Sequence, residues 1–149
     1  MNAPLTSTKR RLKMWIRLLG VTRAAESHLR EFLRVNHVTT LPRFDVMAAL
    51  YRRRDSVTMS ELSRMLLVSN GNATAVVDRL EKDGLVVRAS SESDRRTVLV
   101  SLTPKGVKQF ETLAAAHETE INKLFDGVSN GDIDDLTAIL KRMGEGDKA

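Results

Sequence analysis

Between Ser69 and Thr74 the chain reads SNGNAT, in which Ser69, Asn70, Asn72 and Thr74 bear short amide or hydroxyl side chains. Groups this small let a helix N-terminus come close to a base-pair edge, where amides and hydroxyls can match donors and acceptors. Further on, SSESDRR is too polar for a core and places Asp94, Arg95 and Arg96 together. Two arginines at the tip of a hairpin would be drawn into the negative potential of a narrow minor groove. Asp94 is placed to hold a neighbouring arginine side chain extended. Each feature also has a plain structural explanation, since Asn and Ser are common at helix starts and charged tips are often merely solvated.

The elements needed to present these groups are legible around them. Thr58 stands three residues before Glu61, the spacing of a capping box, and Leu62, Met65 and Leu66 follow at helical spacing. VSNG reads as a turn, and Val76, Val77 and Leu80 give the next helix a buried face that ends at Gly84. LVVRA (85–89) and TVLVSL (97–102) read as short strands flanking the arginine-tipped loop. Helix, turn, helix and hairpin in that order make a winged helix-turn-helix. The fold class expected is mainly α with a small β-hairpin wing and a helical dimerisation region.

DRRTVLVSLT (94–103) resembles the wing signature of the MarR family of bacterial transcriptional regulators, and VVDRLEKDGLVVR resembles the end of that family's recognition helix. The likeness covers nearly the whole chain. It implies a homodimer on a palindromic double-stranded DNA operator, with one recognition helix and one wing per half-site. It further implies that Ser69, Asn70, Gly71, Asn72, Thr74 and Ala75 read bases or backbone, that Arg96 is the wing arginine, and that Asp94 positions it.

The flanks read as helices. From about Lys9 to Arg34, Leu12, Trp15, Ile16, Leu19, Leu29, Phe32 and Leu33 form an apolar stripe, and Val35 to Leu41 reads as a loop. Pro42 opens a helix buried through Phe44, Met47, Ala48 and Leu50, ending in Arg52, Arg53 and Arg54. Those arginines could touch phosphates, but they suit a helix C-terminus and are read that way. Thr103 and Pro104 start a long helix with an apolar edge from Val107 to Leu124, ending near Asp126. A last helix carries Ile133, Leu136, Leu140 and Met143. The expected organisation is one MarR-like domain over 1–149, with 42–103 reading DNA and 9–34 and 104–144 forming the dimerisation region.

Composition narrows the alternatives. No apolar run approaches a membrane span, and MNAPLTSTKRRLK reads as a frayed arm rather than a targeting peptide, so a cytoplasmic location and no membrane partner are expected. With no cysteine there is no disulfide, thiolate zinc site or thiol sensor. The first 110 residues hold 20 Lys and Arg against 10 Asp and Glu; the last 39 hold 4 against 9. A basic reading module followed by an acidic region suits a protein that offers one part to phosphate.

No catalytic constellation emerges. His28, His37 and His117 are scattered without metal-ligand spacing, His117 reads as a core or interface histidine, and no phosphate loop or nucleophile elbow is present. The acidic group Asp132, Asp134 and Asp135 lies at a helix start, where it complements the dipole. No enzyme, metal or cofactor is expected.

The segment TTLPRFDVMAALYR (39–52) also resembles the branch of the family that controls breakdown of aromatic acids. That resemblance implies a small-molecule effector, an aromatic acid or its coenzyme A thioester, that relieves repression. Trp15, Leu19, Phe44 and Met47 would line its pocket. Arg43 or an arginine of the first helix (Arg10, Arg11, Arg17) would take the carboxylate or phosphates. Two other functions stay open: a non-specific architectural DNA binder, and a ligand-binding or interaction module with a vestigial helix-turn-helix.

Overall fold

The computed structural model describes residues 4, 6–66 and 70–146, which divide into two compact units, 1–117 and 118–149. In order the elements are α1 (Ser7–His37), α2 (Leu41–Arg53), β1 (Val57–Thr58), α3 (Met59–Leu66), α4 (Asn70–Lys82), β2 (Val86–Ser90), β3 (Val98–Leu102), α5 (Pro104–Leu124) and α6 (Asn130–Gly146). The chain is mainly helical with one small antiparallel sheet, as expected. Among the described residues no helix is long and apolar enough to cross a membrane.

The first helix runs past the end expected for it. Val35 and Asn36 continue α1, and the chain leaves it only at Val38, a left-handed C-cap at φ 51°. Moderate helix propensity does not stop a helix whose preceding turn is anchored by buried Leu29 and Leu33. Of the two threonines, Thr40 acts as the N-cap of α2 and accepts from the Arg43 N–H at 3.3 Å, with Pro42 in the first turn.

The core of the first unit gathers on α2. Its Phe44, Val46, Met47, Ala49 and Leu50 are buried together with Leu62 of α3, Ala73, Val77 and Leu80 of α4, and Phe110 and Leu113 of α5. The sheet has the order β1-β3-β2, with Val57 opposite Val100 and Arg88 also opposite Val100. β1 was not apparent in the sequence, because a two-residue strand carries no periodicity to read. Its Val57 and the facing Val100 are both fully withdrawn from water.

One corner locks the hairpin to α5. Gly84 ends the turn after α4 at φ +77°, and the Thr103 hydroxyl donates to its carbonyl at 2.7 Å. That hydroxyl oxygen also accepts from the Gly106 N–H at 3.0 Å, so Thr103 caps α5 as expected. In the second unit, Ser129 and Asp132 form a capping box at the start of α6.

Candidate nucleic-acid interface

The helix-turn-helix begins on the capping box foreseen from spacing. The Glu61 N–H donates to Thr58 Oγ1 at 3.0 Å, and the Thr58 N–H donates to Glu61 Oε2 at 3.4 Å. Ser69 lies outside the described residues. Asn70 and Gly71 open α4 itself instead of belonging to a preceding turn. Along α4 one face is buried and the other is not: Ala73, Val77 and Leu80 face the core, while Asn72, Ala75, Asp78 and Arg79 are exposed and Thr74 is half-buried. Asn72, Ala75 and Arg79 fall at i, i+3 and i+7, one face of the helix. Arg79, which its residue type did not single out, shares this exposed face.

At the wing, Asp94, Arg95 and Arg96 are all exposed. The Thr97 N–H donates to the Asp94 carbonyl at 3.0 Å, which makes Arg95 and Arg96 the two central residues of the tip turn. Here the expectation for Asp94 needs correction. Its carboxylate accepts from the backbone N–H of Arg96 at 3.0 Å and from the Thr97 hydroxyl at 3.2 Å. Asp94 therefore shapes the backbone that carries the arginines and does not hold a guanidinium extended. A short carboxylate two residues upstream reaches an amide more easily than a long side chain's end.

The reading helix and the wing are tied together by a group whose role the sequence did not disclose. Arg88 of β2 places its guanidinium 2.6 Å from Asp78 Oδ1 and 2.9 Å from Glu81 Oε1, both on α4. Its backbone N–H donates to Glu81 Oε2 at 3.1 Å. The Arg88 guanidinium and then its backbone N–H hold the Glu81 carboxyl below the usual carboxylate range.

Of the arginines ending α2, Arg53 lies 3.8 Å from Glu61, and the Arg54 guanidinium sits over the Tyr51 ring at 5.2 Å. Both make contacts within the chain at a helix C-terminus.

The residues expected to hold an effector lie in different surroundings. Phe44 and Met47 belong to the core, Leu19 is half-buried, and Trp15 is 53% exposed on α1. Helical spacing shows that a side chain faces an apolar neighbour, but not whether that neighbour is a ligand or the core. Arg43 is paired with Asp83 at 3.4 Å. Arg10 and Arg11 line a shallow groove on α1 with Ser7 and Met14. Among the described residues no cluster of three or more His, Cys, Asp or Glu is arranged to hold a metal.

Known proteins share this arrangement. Residues 38–97, from the cap of α1 to the wing, match the MarR family model. The HTH-type transcriptional regulator MhqR of Bacillus subtilis (strain 168) is 28% identical over 137 residues, spanning 92% of this chain and 93% of that protein. A MarR family transcriptional regulator from Silicibacter pomeroyi superposes with a TM-score of 0.81 at 30% identity, covering 96% of this chain and 99% of that one. Sco3205, a MarR family regulator from Streptomyces coelicolor solved in complex with DNA, shares the fold with a TM-score of 0.82 at 23% identity, over 98% and 92% of the two chains. With its capped helix-turn-helix, exposed polar face on α4 and arginine-tipped wing, the chain belongs to the MarR family of DNA-binding transcriptional regulators and is not an enzyme.

Proposed function

We propose that this protein is a cytoplasmic homodimeric repressor that reads a palindromic operator and is released by a small aromatic carboxylate or its coenzyme A thioester. One observation carries the dimer: apolar side chains stand exposed on both terminal helices. On α1 these are Leu12, Met14, Trp15 and Ile16, and on α6 they are Ile133, Leu136, Ile139, Leu140 and Met143. Runs of large apolar residues left in water mark surfaces that a partner covers. Two copies related by a two-fold would present two α4 helices and two wings, which a palindrome requires.

In this reading Asn72 and Ala75 face the major groove, and Ser69, Asn70, Gly71 and Thr74 are carried over from the family likeness as further base or backbone readers. Arg95 and Arg96 enter the minor groove, and Asp94 fixes the turn that presents them. The effector reading is supported by the likeness of residues 39–52 to the aromatic-acid branch and by a groove on α1 lined by Arg10 and Arg11. Such a ligand must weaken DNA binding by the same factor by which DNA weakens its own binding.

The test is a binding titration on the DNA upstream of the protein's own gene and on random DNA of equal length, with sedimentation velocity for the oligomer. A specific-to-random ratio of about 10³ or more supports a sequence reader, and a ratio near one supports an architectural binder. Binding indifferent to salt would mean that phosphates are not being neutralised, leaving the helix-turn-helix vestigial. Adding benzoate- and cinnamate-type acids and their thioesters to the operator complex then tests release. No loss of binding with any of them removes the effector class.

A further inference from the structure

We infer that Arg88, Asp78 and Glu81 act as a clamp that aims the wing, so that the wing's share of DNA affinity depends on these three residues. The inference rests on the DNA-binding reading above and adds to it a positioning role for groups that need touch no nucleic acid.

The geometry is specific. β2 is an edge strand of the β1-β3-β2 sheet, so among the described residues its outer side has no neighbouring strand to pair its amides. The amide of Arg88 on this strand is taken by a carboxylate oxygen of Glu81. The other oxygen of that carboxylate accepts from the Arg88 guanidinium, which also reaches Asp78. Asp78 and Glu81 are three residues apart and so share one face of α4. A single helix face therefore grips one strand residue by both main chain and side chain.

Two arguments separate aiming from simple stabilisation. Ion pairs with this much exposure (side chains 28%, 38% and 55% accessible for Arg88, Glu81 and Asp78) contribute little to stability in water. Their leverage on direction is larger. From Arg88 to the tip arginines the hairpin extends by roughly 15 Å at the rise of a β-strand. A tilt of about ten degrees at the clamp then moves the tip by roughly 2.5 Å, and a hydrogen bond tolerates a few tenths of an ångström. Packing against the sheet does not replace this restraint, because Val100, paired with Arg88 on the same face, contributes contact that has no direction.

The test is a double-mutant cycle on operator DNA, with Arg96→Ala measured in the wild type, in Arg88→Met and in Glu81→Gln. Arg88→Met keeps the apolar stem and removes the guanidinium. Glu81→Gln keeps an acceptor for the strand amide and holds the fold if Arg88→Met does not. The expected result is that Arg96→Ala weakens binding by about tenfold in the wild type but by less than about threefold in Arg88→Met, with Glu81→Gln between them. Circular dichroism melts show whether each variant is folded. A loss from Arg96→Ala of equal size in all three backgrounds overturns the clamp and leaves the wing reading standing. A wild type indifferent to Arg96→Ala overturns the wing reading itself, and the clamp falls with it. Arg88→Lys, which keeps one charged donor, should restore part of the Arg96 contribution; a contribution no larger than in Arg88→Met counts against the ion pair as the aiming element.

Discussion

His117 lies nearly flat on Phe44, their ring centroids 4.5 Å apart and their planes 25° from parallel. Phe44 in turn meets Phe110 at 5.5 Å, and Phe110 meets Tyr51 at 4.8 Å, so a run of rings joins α5 to α2. Burial pushes the imidazole below its ordinary value of 6.5. The unfolded chain therefore takes up this proton first as pH falls. The neutral-histidine contribution to stability is fully present above about 6.5 and is lost progressively from there down to the lowered native value. His117→Phe should keep the stack and remove that loss. Urea midpoints measured at about pH 7.5 and about pH 5.5 should fall further for the wild type than for the variant. Equal falls would take His117 out of the pH response.

Gly106 and Gly84 are glycines for different reasons, and alanine should separate them. A Cβ at Gly106 would stand 2.0 Å from the Leu85 carbonyl oxygen and 2.9 Å from its carbon. Both are backbone atoms that cannot step aside, so α5 must move. At Gly84 the added carbon meets only the flexible end of Lys105 at 3.9 Å, and the cost is the left-handed φ of +77°. Gly84→Ala should cost about 1–2 kcal/mol. Gly106→Ala should cost more, at or above the roughly 3 kcal/mol upper end of ordinary overpacking. Each kcal/mol lowers Tm by roughly 2–4 °C in a chain of this size, so thermal melts read the order directly. The reverse order would mean that the close approach is relieved at no cost.

Ser63 is buried in α3 with its hydroxyl lacking a partner among the described residues. A hydroxyl withdrawn from water without a hydrogen bond is destabilising, so Ser63→Ala should raise stability by up to about 1 kcal/mol. The denaturant midpoint should move up with an unchanged slope. A lower midpoint would show that the hydroxyl is satisfied, for instance by a bound water.

Asn72 is exposed at the start of α4, on the face shared with Ala75 and Arg79. Asn72→Ala should reduce discrimination at one operator base pair by about 1–3 kcal/mol, as for a bidentate amide on adenine. Binding measured across single-base operator variants separates the outcomes. A loss uniform over all sequences makes Asn72 a backbone contact.

What the sequence disclosed was local. The Thr58 and Glu61 box, the Thr103 and Pro104 start of α5 and the stop at Gly84 each depend on residues within a few positions, and each stands where expected. What it withheld depends on distance. Val57 becomes a strand only because Val100 comes to lie opposite it. Arg88 becomes a clamp only because β2 folds back along α4. Phe44 and Met47 have the residue types of a pocket wall, and only the folded chain shows them buried in the core. Asp94 was expected to act on a side chain and acts on the backbone, a choice of atoms that residue type leaves open.

Glu81 also bears on how the protein behaves in a tube. An unpaired strand border invites another chain to zip onto it, and short sheets are guarded by charge or by covering that border. Here one carboxylate does both at the amide of Arg88. Replacing it with an apolar residue should therefore show up as rising light scatter on concentration, measured in the absence of DNA.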